Sequence, residues 1–95
     1  MSMSSIRRLG LSTNFWGDEV VAIAATLGQG ADQDCRKVKI RAEASKTVYM
    51  GNASPVDNTH VLVPNDEWLE MEITNTNLLH FFGTNGDKVY ILWFN

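Results

Sequence analysis

The chain has 95 residues, of which 44% are hydrophobic and 20% are charged, and its formal net charge is −3. This length accommodates one small domain, and the hydrophobic share argues against a disordered chain. No apolar run reaches the roughly 18 residues that a membrane span needs, and a single cysteine excludes an internal disulfide framework. The acidic balance makes nucleic acid an unfavoured partner, since phosphate binding normally demands a surplus of Lys and Arg.

The N-terminal residues 1–17 place isolated apolar side chains among polar ones, which predicts an extended arm ahead of a single β domain, residues 18–95. Residues 18–28 leave two alternatives open. A helix would begin at Asp18 and end at Gly28, whereas the β-branched residues between them favour a strand. The strand is preferred because the remainder of the chain has β character.

Beyond residue 34, apolar and polar residues alternate in short runs that are separated by turn residues, as is typical of strands with one buried face. The fold prediction is an all-β antiparallel β-sandwich, or a jelly-roll-like barrel, of seven or eight strands. Asn85-Gly86 is typical of a type I′ hairpin turn, so the last two strands should pair with each other. The six strands predicted in this region are 35–43, 46–51, 59–63, 67–74, 78–83 and 88–94.

Residue types that carry catalysis are present without the partners they need. His60 and His80 lie far apart in sequence with no further ligands around them, which argues against a metal site. Cys35 has cationic neighbours but no base close in sequence. The segment 28–30 has two glycines but lacks the lysine of a phosphate-binding loop. We therefore predict a protein that is not an enzyme, with no catalytic residue, metal or other cofactor.

Two charged stripes of opposite sign follow the strand period of two. Lys37, Lys39 and Arg41 share one face of their strand, and Glu70 and Glu72 share one face of another. We expect the stripes to pair across strands of one chain or between neighbouring subunits. The alternative for the cationic stripe is a platform for single-stranded nucleic acid on a small barrel, which the acidic net charge disfavours.

Large apolar side chains outside the predicted core indicate an interface. By strand parity Trp68 points outward, and Tyr90, Leu92 and Phe94 lie opposite the inward residues of the last strand. One small sandwich has one core, so this face needs a cover, either the arm folded back or a second chain. The predicted interface comprises Ile6, Arg7, Arg8, Leu9, Phe15, Trp16, Lys37, Lys39, Arg41, Trp68, Tyr90, Leu92 and Phe94.

Three motifs carry a resemblance to a known family. The run Val48-Tyr49-Met50-Gly51, the turn Pro64-Asn65-Asp66-Glu67 with the amphipathic strand after it, and the glycine-containing turn before the last apolar strand occur in this order. Together they resemble small structural proteins of tailed bacteriophage virions, over about residues 36–94. Asp66 departs from the family pattern, which often has glycine there.

The resemblance implies a virion component with a small β-sandwich or jelly-roll fold, assembled in the cytoplasm of a bacterial host. A capsid decoration (cement) protein is the preferred role, with the major capsid protein and copies of itself, often as a trimer, as partners. A neck, tail or baseplate component is the alternative within this class. In the preferred role the arm anchors the protein through Ile6, Leu9, Phe15 and Trp16, while Arg7 and Arg8 contact acidic capsid surface.

Overall fold

The computed structural model describes residues 16–95, which form eight β-strands and one 3-10 helix. The helix, Thr76–Leu78, begins after Asn75, whose side-chain oxygen accepts a hydrogen bond from the Asn77 amide at 2.9 Å. No helix in this part of the chain is long and apolar enough to cross a membrane. The strands are β1 (Trp16–Ala22), β2 (Leu27–Gln29), β3 (Lys37–Ala42), β4 (Val48–Gly51), β5 (Val61–Val63), β6 (Leu69–Met71), β7 (His80–Phe82) and β8 (Lys88–Phe94).

The strands form two antiparallel sheets of four strands each, packed face to face. The first sheet has the order β1-β8-β3-β6, and the second has the order β2-β7-β4-β5. The predicted all-β antiparallel sandwich of seven or eight strands is therefore confirmed. The strand alternative for residues 18–28 is also confirmed, although the segment forms two strands in different sheets. A tight turn joins them, in which Ala24 and Leu27 exchange two backbone hydrogen bonds.

The core lies between the two sheets and follows the strand alternation. In β3, Val38 and Ile40 are fully buried, while the charged residues that alternate with them point away from the second sheet. The second sheet contributes Phe81, which is the largest fully buried side chain. Removing such side chains from water stabilises the fold by about 1.5–3 kcal/mol each. The core cluster comprises Val21, Ile23, Cys35, Val38, Ile40, Ala42, Val48, Met50, Val63, Leu79, Phe81, Val89, Ile91 and Trp93.

The predicted hairpin between the last two strands is wrong. β7 pairs with β2 and β4 in the second sheet, whereas β8 pairs with β1 and β3 in the first. A type I′ turn needs positive φ at both central residues, but here only Gly86 has one, at +92°. The Asn85 side chain instead accepts a hydrogen bond from the Ala25 amide at 2.8 Å. The turn therefore carries the chain from one sheet to the other.

The boundary of the predicted arm also differs from the structure. Trp16 and Gly17 belong to β1, where they pair with Phe94 and Trp93. An ideal Cβ at Gly17 would lie 2.4 Å from the Trp93 ring, so the close packing of strand on ring requires glycine here. The rest of the predicted arm, residues 1–15, lies outside the described residues.

Candidate functional site

The side of the first sheet that faces away from the second sheet carries the candidate site, and we call it the outer face. The strand register arranges its side chains in rows that run across the strands. One row contains Val20, Tyr90 and Arg41, which are paired partners in β1, β8 and β3. Trp68 extends this row at the edge of the sheet, immediately before β6, with its ring centroid 5.0 Å from the Arg41 guanidinium carbon.

The middle row has one apolar residue among three charged ones. Leu92 in β8 lies between Asp18 of β1 and Lys39 of β3, and Glu70 of β6 lies opposite Lys39. Cross-strand neighbours of opposite charge stabilise a sheet by roughly 0.2–1 kcal/mol. The predicted pairing of the two stripes within one chain is confirmed for Lys37 and Lys39, which both lie beside Glu70.

The third row begins at Trp16, followed by its partner Phe94 and then by Lys37. The Lys37 Nζ lies 5.5 Å from the Phe94 ring centroid and 3.7 Å from the Glu70 Oε2. Because both partners of this ion pair are substantially exposed, it contributes only about 0–1 kcal/mol. The same ammonium group therefore contacts a carboxylate and an aromatic ring at once.

Arg41 has a distinctive environment on this face. Its guanidinium lies near two aromatic rings, those of Trp68 at 5.0 Å and Tyr90 at 5.5 Å. Each contact at a partly exposed site is worth about 0.5–1 kcal/mol. The Nε of Arg41 is buried and has no hydrogen-bond partner among the described residues. Cation–π contacts with the two rings therefore account for the position of this side chain.

The apolar members of the outer face are exposed to a degree that is unusual for such large groups. Trp16 is 64% exposed, Val20 is 56% exposed and Trp68 is 41% exposed. Residues 16–95 place no third layer over them, since the two sheets pack through their opposite sides. Isolated exposed apolar residues are ordinary. Here the half-buried Tyr90, Leu92 and Phe94 of β8 lie between them, and an apolar surface grouped in this way indicates an interaction site.

The structure brings most of the sequence-predicted interface residues together. The eight that lie among the described residues are all on the outer face or at its edge, and their role as an interface stays a prediction. These eight are Trp16, Lys37, Lys39, Arg41, Trp68, Tyr90, Leu92 and Phe94. The other five, Ile6, Arg7, Arg8, Leu9 and Phe15, lie outside the described residues.

Sequence reasoning missed Val20 and Asp18, which complete two of the rows. Strand parity could have identified both residues, because they alternate with the inward residues of β1 once that strand is extended back to Trp16. It also missed an apolar row across the outer side of the second sheet. That row comprises Leu27, Phe82, Tyr49 and Leu62, with the rings of Tyr49 and Phe82 6.5 Å apart.

Elsewhere in residues 16–95, the side chain most able to act as a nucleophile, the Cys35 thiol, is held in a structural role. Burial raises the pKa of the Cys35 thiol, and the carboxylates of Asp34 and Glu19 add to that effect. The Cys35 Sγ donates to the Ile73 carbonyl at 3.4 Å. A raised pKa keeps the thiol protonated and poorly nucleophilic at neutral pH. The same residues contain no group of three or more His, Cys, Asp or Glu side chains that could hold a metal ion.

Comparison with known proteins gives no relative from which a role could be transferred. No protein-family model matches the chain, and no curated protein or solved structure matches it. The outer face is therefore interpreted from its own geometry and chemistry.

Proposed function

We propose that this protein is a non-enzymatic structural protein that assembles with other protein subunits through the outer face. The observation that carries the proposal is the ordered grid of apolar, aromatic and cationic side chains in three cross-strand rows. Trp, Tyr and Arg are the residue types that most often dominate binding energy in protein interfaces. A flat sheet surface also fits a protein partner better than a small molecule, which requires a concave site.

The size of the outer face supports repeated, individually weak contacts. Four strands about 4.8 Å apart and three rows about 6.8 Å apart give a patch of about 400 Å². A stable one-to-one interface buries about 800 Å² on each partner, so this patch alone supplies roughly half of that area. Weak contacts become effective when many copies bind one scaffold, because each bound neighbour raises the effective concentration of the next.

The resemblance of residues 36–94 to small virion proteins supports a specific setting for this assembly. We propose a capsid decoration role, in which copies of the protein bind the major capsid protein, and each other, on the shell of a tailed phage. A symmetric shell supplies the repeated scaffold that a weak patch requires. A neck, tail or baseplate position is the alternative setting and uses the same face.

A single-stranded nucleic-acid partner is the competing interpretation of a sheet with basic and aromatic residues. Such partners bind by stacking bases on open ring faces. Here the Arg41 guanidinium lies over the rings of Trp68 and Tyr90, and the Lys37 ammonium lies over Phe94. A cation of the chain itself therefore covers one face of each of these three rings, which leaves less ring surface for stacking bases and favours a protein partner. Of the aromatic residues on the outer face, Trp16 alone has no such cation among the described residues.

The choice between a capsid decoration role and a neck, tail or baseplate role is tested by quantitative mass spectrometry, which counts the copies of this chain in purified phage particles. A copy number comparable with that of the major capsid protein supports decoration. A low, fixed number shared with portal or tail proteins supports the neck or tail alternative. Complete absence of the chain from particles would overturn both virion roles.

The face is tested with two residues of matched exposure on opposite sides of the sandwich. Val20 on the outer face is 56% exposed, and Leu62 on the second sheet is 55% exposed. Particles that lack the chain are incubated with purified wild-type, Val20→Asp or Leu62→Asp protein, and the bound fraction is measured by sedimentation. We expect the Val20 variant to bind at least tenfold more weakly and the Leu62 variant to bind like wild type. Equal binding by both variants would refute the assignment of the interface.

The nucleic-acid interpretation is tested by titrating a labelled single-stranded oligonucleotide at several salt concentrations. Phosphate contacts give an affinity that falls steeply as salt rises. We expect no binding even at low salt. Tight binding with a steep salt dependence would replace the assembly proposal.

A further inference from the structure

A second feature lies away from the outer face, on the side of the sandwich where β5 and β6 are the edge strands of the two sheets. A cleft of about 420 Å³ separates the two sheets there. This volume is within the range of about 300–1,000 Å³ typical of pockets that enclose a ligand. The cleft is lined by Met50, Gly51, Asn52, Val61, Met71, Glu72, Ile73, Leu78 and Leu79.

The cleft exists because the two sides of the sandwich are closed differently. On one side the tight turn between β1 and β2 ties the sheets together through Ala24 and Leu27. On the other side the edge strands are β5 and β6. One end of that side is closed by the hydrogen bond from the Ala42 amide to the Pro64 carbonyl, at 2.8 Å. The other end stays open, and there Val61 is 59% exposed and Leu78 is 43% exposed.

Trp16, the first described residue, lies at the same end of the sandwich as the cleft. Trp16 pairs with Phe94, Phe94 pairs with Lys37, and the neighbouring Val38 pairs with Met71 of the cleft. From β1 to β6 is three strand spacings, or about 14 Å. An extended chain covers that distance in about four or five residues. Residues up to about position 11 can therefore reach the cleft of their own molecule.

The chemistry of the preceding segment matches the lining of the cleft. Residues 6–11 contain the apolar side chains of Ile6, Leu9 and Leu11 together with two arginines. Among residues 16–95, Glu72 is the one charged residue that lines the cleft, and the rest of the lining is predominantly apolar. Methionine side chains adapt to irregular partners, and two of them line this cleft.

We propose that residues 6–11 bind in this cleft of the same chain, with Leu9 and Leu11 against the apolar lining and the arginines near Glu72. The segment would fill the gap between the edge strands β5 and β6, and main-chain pairing with one of them would add hydrogen bonds. This contact is separate from the assembly role of the outer face. It gives residues 6–11 a binding site within the molecule, in place of the capsid contact that the resemblance implies for Ile6, Arg7, Arg8 and Leu9.

Methionine methyl NMR of the full-length protein tests the proposal directly. The chain has four methionines, of which Met50 and Met71 line the cleft. Their signals are assigned with the variants Met50→Leu and Met71→Leu. The test variant carries Leu9→Asp and Leu11→Asp together. The matched control carries Ser5→Asp and Thr13→Asp, which introduce the same charge on either side of the proposed contact.

We expect the Met50 and Met71 signals to shift in the test variant and to stay close to their wild-type positions in the control. Unchanged signals in the test variant would overturn the proposal. Equal shifts in both variants would also overturn it, since they would reflect charge rather than apolar contact. The measurement uses isolated protein, so its result is independent of whether the outer face binds a capsid.

A mixing experiment establishes that the contact is within one chain. A nitroxide is attached to Thr13→Cys in a Cys35→Ala background, and broadening of the Met50 and Met71 signals is measured. We expect broadening when label and methyl are on the same chain, and none when labelled chains are mixed with separate methyl-labelled chains. Broadening only in the mixed sample would show exchange of arms between copies and would overturn the intramolecular contact.

Discussion

Gly30→Ala should be among the most damaging small substitutions in this protein. An ideal Cβ at Gly30 would lie 2.1 Å from the Thr76 carbonyl oxygen and 2.8 Å from the carbonyl carbon. Both atoms belong to the backbone, so no side-chain rotation can relieve the overlap. The loop must instead move away from the 3-10 helix.

The cost follows from the contacts that this movement breaks. The Gly30 amide donates to the Leu79 carbonyl at 3.0 Å, and the Thr76 amide donates to the Gln33 carbonyl at 2.9 Å. The Thr76 hydroxyl also donates to the Ala31 carbonyl. Three hydrogen bonds at about 1 kcal/mol each, with about 1–3 kcal/mol for overpacking, outweigh the gain of about 0.4–1 kcal/mol from a stiffer unfolded chain. The expected loss is about 3–5 kcal/mol, a large part of the 5–15 kcal/mol typical of a domain.

Gly28→Ala is the matched control, two residues away in the same segment. Its ideal Cβ would meet the side-chain methyls Val21 Cγ1 at 3.0 Å and Ile23 Cδ1 at 3.1 Å. Side-chain ends can adjust, so the expected loss is about 1 kcal/mol. Urea unfolding monitored by tryptophan fluorescence measures both variants against wild type. If Gly30→Ala lies within 1 kcal/mol of Gly28→Ala, the inferred backbone clash is wrong.

Three further predictions concern the core and two titratable groups. Phe81→Ala should lower the free energy of unfolding by about 3–5 kcal/mol, measured by urea denaturation, because Phe81 is fully buried. A loss below 1 kcal/mol would contradict this placement. Hydrogen bonds from Thr59, with a smaller contribution from His60, lower the pKa of Asp57 from 3.8 to about 2. Because the folded-state pKa is depressed, the stabilisation is complete above the unfolded value of 3.8 and is lost as pH falls through about 2. NMR titration of the Asp57 carboxyl should show this midpoint, and one near 3.8 would refute the loop geometry. The Cys35 thiol, buried and with a raised pKa, should react slowly with a thiol reagent at pH 7 until urea unfolds the protein, and rapid labelling of folded protein would contradict its burial.

The parts of the fold that the sequence predicts best are those set by local alternation. In β3 the charged residues Lys37, Lys39 and Arg41 alternate with apolar ones, and the structure places the two sets on opposite faces. The same parity identifies Tyr90, Leu92 and Phe94 as outward residues of β8. For this reason most residues of the outer face can be predicted from the sequence.

The features that the sequence does not predict depend on contacts between distant segments. Asn85-Gly86 is a local hairpin signal, which would pair β7 with β8. Because β8 pairs with β1 and β3 in the first sheet, the turn connects the two sheets instead. The close packing of Gly30 cannot be predicted from its own segment, because it depends on Thr76 of the 3-10 helix, which is distant in sequence. The cleft forms where β4, β5, β6 and the helix region meet, and no single stretch of residues encodes it.

The pairing of β1 with β8 places the two ends of the described chain side by side. Trp16 lies directly opposite Phe94, which puts their Cα atoms about 4.5–5.5 Å apart. A short glycine-rich linker from Asn95 to Trp16 would therefore close the chain into a ring with little loop-closure cost. New ends could be opened at the exposed bond between Ala53 and Ser54. Such a circular permutant would keep every strand pairing of both sheets available while changing the order in which the strands are synthesised. It would also remove residues 1–15 and would therefore separate the folding of the sandwich from any contribution of that segment.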